Sequence, residues 1–221
     1  MLETTQELDK QEKAALVSDK VKALKSELIL DAALTVFSLR GVAEATLEEI
    51  AGEAGFSKAS LYNYFPDKER IFLAVAMREA ERFIDILMNS GETSVSPTLP
   101  FKENMRRYLL LRLEHTRKHF HFIVSMNLAE IFKCEDIQKG SLHGYIDFKE
   151  ELFKKSIVPI LNWAKDKNEI TTLFNDLTLC RIIDGMTLGV IHDWIKNKKV
   201  GDTDEVANLL IELLVNGMGK R

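Results

Sequence analysis

Two cysteines, Cys134 and Cys180, are too few and too scattered to build a disulfide framework or a zinc site, and both read as reduced thiols filling a core. Four prolines and no sustained Val/Ile/Thr alternation leave little room for strands. No segment reaches the roughly 18 uninterrupted apolar residues of a membrane span. The opening MLETTQELDKQEK puts charges where a secretory leader needs an apolar run. The expectation is a cytoplasmic chain with no membrane partner. Surplus positive charge is missing as well. With 30 Lys and Arg against 34 Asp and Glu, the net charge is −4. Bulk attraction for nucleic acid is therefore excluded, and any such recognition has to be local.

Catalytic and cofactor signatures are equally scarce. GSLHG, at Gly140, misses the nucleophile-elbow spacing, and no phosphate-cradling Gly loop occurs. His115 and His119 share a helical face within EHTRKHFH, with Glu114 or His121 nearby, but no Glu between them makes a zinc-protease motif. Without a third ligand from a facing helix, no metal is expected there. His192 beside Asp193 also lacks a matched partner. The expectation is no enzyme, no catalytic residue and no cofactor.

What is present is helix. The 221 residues are 46% hydrophobic, enough for a well-buried core in one or two domains. Apolar residues recur at spacings of three and four from Val21 onward, which predicts an all-α fold. Residues 1–18 are polar and read as a frayed extension continuing into the first helix, with a DNA-contacting arm as the alternative; 19–66 and 67–221 are the expected domains. A long helix is predicted from about Asp67 through Phe72, Val75, Met77, Phe83 and Leu87, ending at the loop NSGETSVSPTLP. Further helices are expected around 101–118, 119–134, 145–167 with a kink at Pro159, 174–197 and 203–216. A polar connection lies near Glu135 to Gly144.

Residues 46–66, TLEEIAGEAGFSKASLYNYFP, carry a helix-turn-helix pattern. Thr46 and Glu49 form a capping box, Leu47, Ile50, Ala51 and Ala54 share one face, and Gly55 stands where the chain needs positive φ. Ser57 caps a second short helix. Leu61 and Phe65 point inward from it, leaving Lys58, Ala59, Ser60, Asn63 and Tyr64 outward. Such a helix suits a major groove. Base reading falls to Lys58, Ala59, Ser60 and Asn63, because Lys favours guanine acceptors, Asn pairs with adenine and Ala meets a thymine methyl. Tyr62 is expected to pack partly on the first helix and partly to face phosphate, and Tyr64 to face outward over the sugar-phosphate backbone. Lys68, after the Asp67 cap, is set to reach a phosphate, with Thr46 at the other edge. Nearby acids offset the positive residues around this head, so few phosphates are neutralised and the salt dependence is shallow.

The run from Ile29 to Phe72 resembles the N-terminal domain of the tetracycline-repressor (TetR) family of bacterial transcription regulators. The apolar helix ending in Phe37 and Gly41, the Thr46 cap, Ile50-Ala51, Gly55, Ser57, LYNYF and DKE carry the resemblance. It implies a C-terminal domain that binds a ligand and dimerises. The expected partners are double-stranded operator DNA, a second copy of the chain and a small-molecule effector. A near-palindromic site is implied, because one short helix contacts too few bases. Gly185 and Gly189, four apart beside Val190, allow close helix approach, and with Phe153, Ile160 and Trp163 they form the expected dimer interface. Met105, Phe122, Met126, Phe148, Met186 and Trp194 are the expected ligand-binding side chains, soft and aromatic enough for an apolar or amphipathic molecule. Arg106, Arg107, Arg112 and Arg117 read as surface charges paired with Glu103 or Glu114, so an anionic effector is not favoured. The function expected is a ligand-responsive repressor. The alternatives are an activator of the same fold, or a ligand-binding or protein-interaction module with weak DNA binding.

Overall fold

A computed structural model describes residues 2–127, 141–170, 174–197 and 201–218. Among them are nine α-helices and no β-strand. They are α1 (Leu2–Arg40), α2 (Leu47–Glu53), α3 (Lys58–Tyr62), α4 (Lys68–Asn89), α5 (Phe101–Lys118), α6 (Phe120–Asn127), α7 (Ser141–Asp166), α8 (Asp176–Asn197) and α9 (Thr203–Met218). Contacts divide the chain into two compact units, Met1–Ala76 and Met77–Arg221.

The first unit forms around a small apolar centre. Ile29, Ala33 and Phe37 recur every four residues on α1, so they share one face; with Ile50, Leu61 and Ile71 they are fully buried. Phe72 packs edge-on against Phe37, ring centroids 5.9 Å apart. That packing draws the start of α4 into this unit, which therefore extends beyond Pro66. α1 stops at Gly41, whose φ of +79° no further helical residue could follow. The polar opening of the chain lies within α1.

In the second unit α5 packs on α7 and α9, and α8 packs on α7 and α9. Met105, Leu109 and Leu113 of α5 meet Ile157 and Leu161 of α7, Ile183 of α8 and Leu210 of α9 in one core. Asn104 closes the loop ahead of α5. Its buried amide donates to the Ser96 carbonyl at 2.8 Å and accepts from the Ser96 N–H at 2.9 Å, so the turn after α4 keeps its backbone groups satisfied away from water. A short 3₁₀ turn at Gly91–Thr93 falls within the expected loop.

Two readings change. Arg107 pairs with Glu103 and Arg117 with Glu114, but Arg106 reaches Asp204, and Arg112 is not a surface charge at all. Its guanidinium points inward to Asp184 on α8, which also accepts from Lys149 Nζ at 2.8 Å. An inward-facing Arg is tolerated because its charge meets a carboxylate there. Gly144, expected in a connection, lies in α7, which runs unbroken through Pro159; residues 128–140, with Phe132 and Cys134, fall outside the described residues.

Candidate nucleic-acid interface

The first unit presents α3 through three local devices. At the start of α2, Thr46 Oγ1 accepts from the Glu49 N–H at 3.2 Å and the Thr46 N–H donates to Glu49 Oε2 at 3.0 Å, completing the capping box. Gly55 then turns the chain at φ +72°. Nothing lies within 4 Å of where a Cβ would stand, so glycine is required there by conformation and not by space. Ser57 Oγ accepts from the Ser60 N–H at 3.1 Å and starts α3. Leu61, with no exposed surface, is the buried anchor of this five-residue helix.

Lys58, Ala59 and Asn63 are exposed, whereas Ser60 is half-buried with its hydroxyl 2.9 Å from that of Ser57. Of the two tyrosines, Tyr64 departs from expectation. Tyr62 is 47% exposed, while Tyr64 is half-buried with its ring centroid 6.2 Å from that of Phe56. α3 ends at Tyr62, and the Tyr64 N–H bonds back to the Leu61 carbonyl, turning Tyr64 inward.

Charge at the head is more committed than sequence reading implied. Lys58 Nζ pairs with Glu48 across the turn, a hydrogen bond that holds the ammonium above, and the carboxyl below, their ordinary pKa ranges. The sequence reading counted only unnamed acids near the head and missed this pairing, which depends on how the two helices cross. Lys68 Nζ donates to the Ala43 and Ala45 carbonyls at 3.1 and 2.9 Å, tying the loop before Thr46 to the start of α4. Two of its three donors are thereby occupied. Asp67 Oδ1 accepts from the Arg70 N–H at 2.7 Å and caps α4. Thr46, Lys58, Tyr62 and Lys68 share the lining of one surface concavity of about 320 Å³, with Glu48, Asp67 and Glu69 on its walls. Ala59, Asn63 and Tyr64 do not line it.

The expected ligand and dimer residues separate by burial. Met105, Phe122 and Trp194 are buried, and Met105 and Trp194 belong to the core of the second unit; Phe148 and Met186 are half-buried. The side chain of Met126 lies outside the described residues. Phe153 and Ile160 correct the interface expectation. Both lie inside the chain's own core, because Phe153, Ile157, Ile160, Leu161 and Ala164 recur at helical spacing on one face of α7. Trp163 and Val190 are half-buried at the edge of that core. Gly185 and Gly189 are exposed, with open space above each.

The His115–His119 pair has a facing partner after all. Glu79 of α4 approaches it, and the three residues offer ligand atoms within 4.8 Å of one another. Burial, then the neighbouring His115 and Lys118, push the His119 pKa down to about 4, with Glu79 opposing. The ordinary value is 6.5, so between pH 6.5 and 4 the unfolded chain binds a proton that the folded chain refuses. This contribution is complete above pH 6.5 and lost as the pH falls toward 4. The stability difference between wild type and His119→Asn, measured by denaturant melting with chelator present, should therefore shrink across that window. A constant difference would refute the linkage.

An all-α chain that turns a capped short helix outward from a helix-turn-helix has the build of a DNA-binding regulator of transcription. Residues 29–75 match the family model described as bacterial regulatory proteins, tetR family. Residues 29–75 therefore carry the N-terminal domain of that family. It is 25% identical over 200 residues to the uncharacterized HTH-type transcriptional regulator YhgD of Bacillus subtilis, covering 88% of this chain and 96% of YhgD. The HTH-type transcriptional regulator RutR of Escherichia coli is 33% identical over 141 residues, covering 64% of this chain and 62% of RutR. In fold the chain is similar to the fatty acid degradation regulator FadR of Bacillus halodurans, with a TM-score of 0.69 at 18% identity over 89% of this chain and 97% of FadR. Among the described residues, no helix is long and apolar enough to cross a membrane.

Proposed function

We propose that the chain is a repressor that binds a near-palindromic operator as a homodimer and is released by a small apolar or amphipathic effector. One observation carries the reading: the buried Leu61 holds α3 with Lys58, Ala59, Tyr62 and Asn63 turned to solvent. Asn63, Lys58 and Ala59 read base edges, Ser57 and Ser60 support the start of α3, and Tyr62, Lys68 and Thr46 meet the backbone, with Tyr64 bracing the turn from within. The open space over Gly185 and Gly189 favours α8 as the close-approach surface between two copies. The soft side chains of the second unit, Met105, Phe122, Met126, Phe148, Met186 and Trp194, suit an apolar effector that enters by repacking them. α4 contributes residues to both units, so a shift of α4 on effector binding alters the spacing of the two recognition helices. Near-complete release requires the effector to prefer the non-binding state by about 5 kcal/mol. Such a protein works beside the chromosome, in the cytoplasm.

Selection of bound genomic fragments by the purified chain, with and without candidate effectors, tests the reading, and a reporter separates repression from activation. Recovery of no fragment above a random background would sink it. Within the selected site, Lys58→Ala should lower the slope of log affinity against log salt by about one if Lys58 meets a phosphate, and relax one base position if it reads guanine. Glu48→Gln should tighten binding and steepen that slope, because it frees Lys58 and removes a charge facing the phosphates. Unchanged affinity in both variants would remove Lys58 from the interface.

A further inference from the structure

We infer that Glu79, His115 and His119 form a binding site for one divalent transition-metal ion of the zinc class, joining α4 to α5 and the start of α6. Geometry is the first argument. His115 and His119 stand one turn apart, with ring centroids 5.0 Å from each other. His115 Nε2 lies 3.5 Å from Glu79 Oε2. Metal–ligand bonds of about 2.1 Å imply a tetrahedral edge of about 3.4 Å, so this pair already has the separation a shared ion requires, and side-chain rotation brings His119 to it.

The state of the donor atoms is the second argument. His115 Nε2 is buried without a hydrogen-bond partner, because 3.5 Å is too long for a well-formed bond to the carboxylate. A metal ion would satisfy it. The Glu79 carboxylate is shared: Arg82 Nη1 approaches Oε1 at 2.9 Å and Arg78 Nη2 at 3.4 Å, while the His115 contact falls on Oε2. Burial works against the carboxylate's charge, but His115, Arg82 and Arg78 outweigh it, and Glu79 stays ionised at neutral pH. Two imidazoles and one carboxylate oxygen match the borderline-soft preference of zinc, and disfavour magnesium or calcium, which take oxygen sets. Three protein ligands leave a fourth position for water or another small oxygen ligand.

The test uses the full chain, stripped with chelator and titrated with Co²⁺ as a visible probe, then with Zn²⁺. One equivalent of Co²⁺ should bind with visible absorption and be displaced by Zn²⁺. Glu79→Gln and His119→Gln should each weaken binding by more than the roughly tenfold to hundredfold that loss of an outer-shell partner costs. His121→Ala, His143→Ala and His192→Ala should bind as wild type does. On the unaltered chain, Zn²⁺ should shift the imidazole nitrogen resonances of two of the five histidines, which keeps the test valid if a variant fails to fold. No saturable binding, or full binding in Glu79→Gln and His119→Gln, would overturn the site, as would imidazole shifts confined to the other three histidines.

Discussion

Asp184→Ala is expected to destabilise the second unit by about 3–5 kcal/mol, because it strips the counter-charge from an inward-facing Arg112 and from Lys149 together. Asp184 is itself buried, and the Arg112 side chain is only 16% exposed, so water cannot readily replace the carboxylate. For a chain of this size that loss lowers the melting temperature by roughly 10 °C. Burial opposes the charge on Asp184, but Arg112 and Lys149 outweigh it and hold the carboxyl below the ordinary value of 3.8. A depressed folded pKa means this contribution is present above that value and lost as the pH falls through the folded pKa. The gap between wild type and variant should therefore be constant from neutral pH to about pH 5, and close only in stronger acid. This window lies below that of His119, so melts across the full range separate the two groups. A cost under about 1 kcal/mol at neutral pH would show that both cations reach solvent once the carboxylate is gone.

Leu61→Ala should weaken operator binding strongly with little change in the second unit. Truncating a fully buried leucine costs about 2–5 kcal/mol, and Leu61 is the buried residue of a helix only five residues long. No helix so short holds its shape without tertiary anchoring. Ordering α3 afresh on DNA would consume most of that free energy, so affinity should fall at least about thirtyfold, equivalent to about 2 kcal/mol. Amide exchange should accelerate in α3 and stay unchanged in α5 and α7. Wild-type affinity in Leu61→Ala would mean that DNA meets another surface.

The legible parts of the chain are those whose chemistry is local. The Thr46–Glu49 box, the Ser57 cap and the Asp67 cap each join a side chain to a backbone group three residues away, and all three stand as expected. Gly55 was legible because glycine adopts φ +72° at no steric cost. The inward turn of Tyr64 shows how narrow that legibility is. Helical phase turns by about 100° per residue, so ending α3 at Tyr62 was enough to send Tyr64 inward. Phe153 and Ile160 were misassigned for a different reason: an apolar stripe announces burial without saying whether the cover is the same chain or another.

Helix content, the capped turn and the outward short helix follow from the sequence alone, because backbone geometry within a few residues is set by those residues. Only the folded chain decided that Arg112 faces Asp184, 72 positions away, that Glu79 meets the two histidines, and that Glu48 holds Lys58. Those pairings depend on how helices cross. Crossing is settled by the packing of whole apolar faces, a quantity no short stretch of sequence contains.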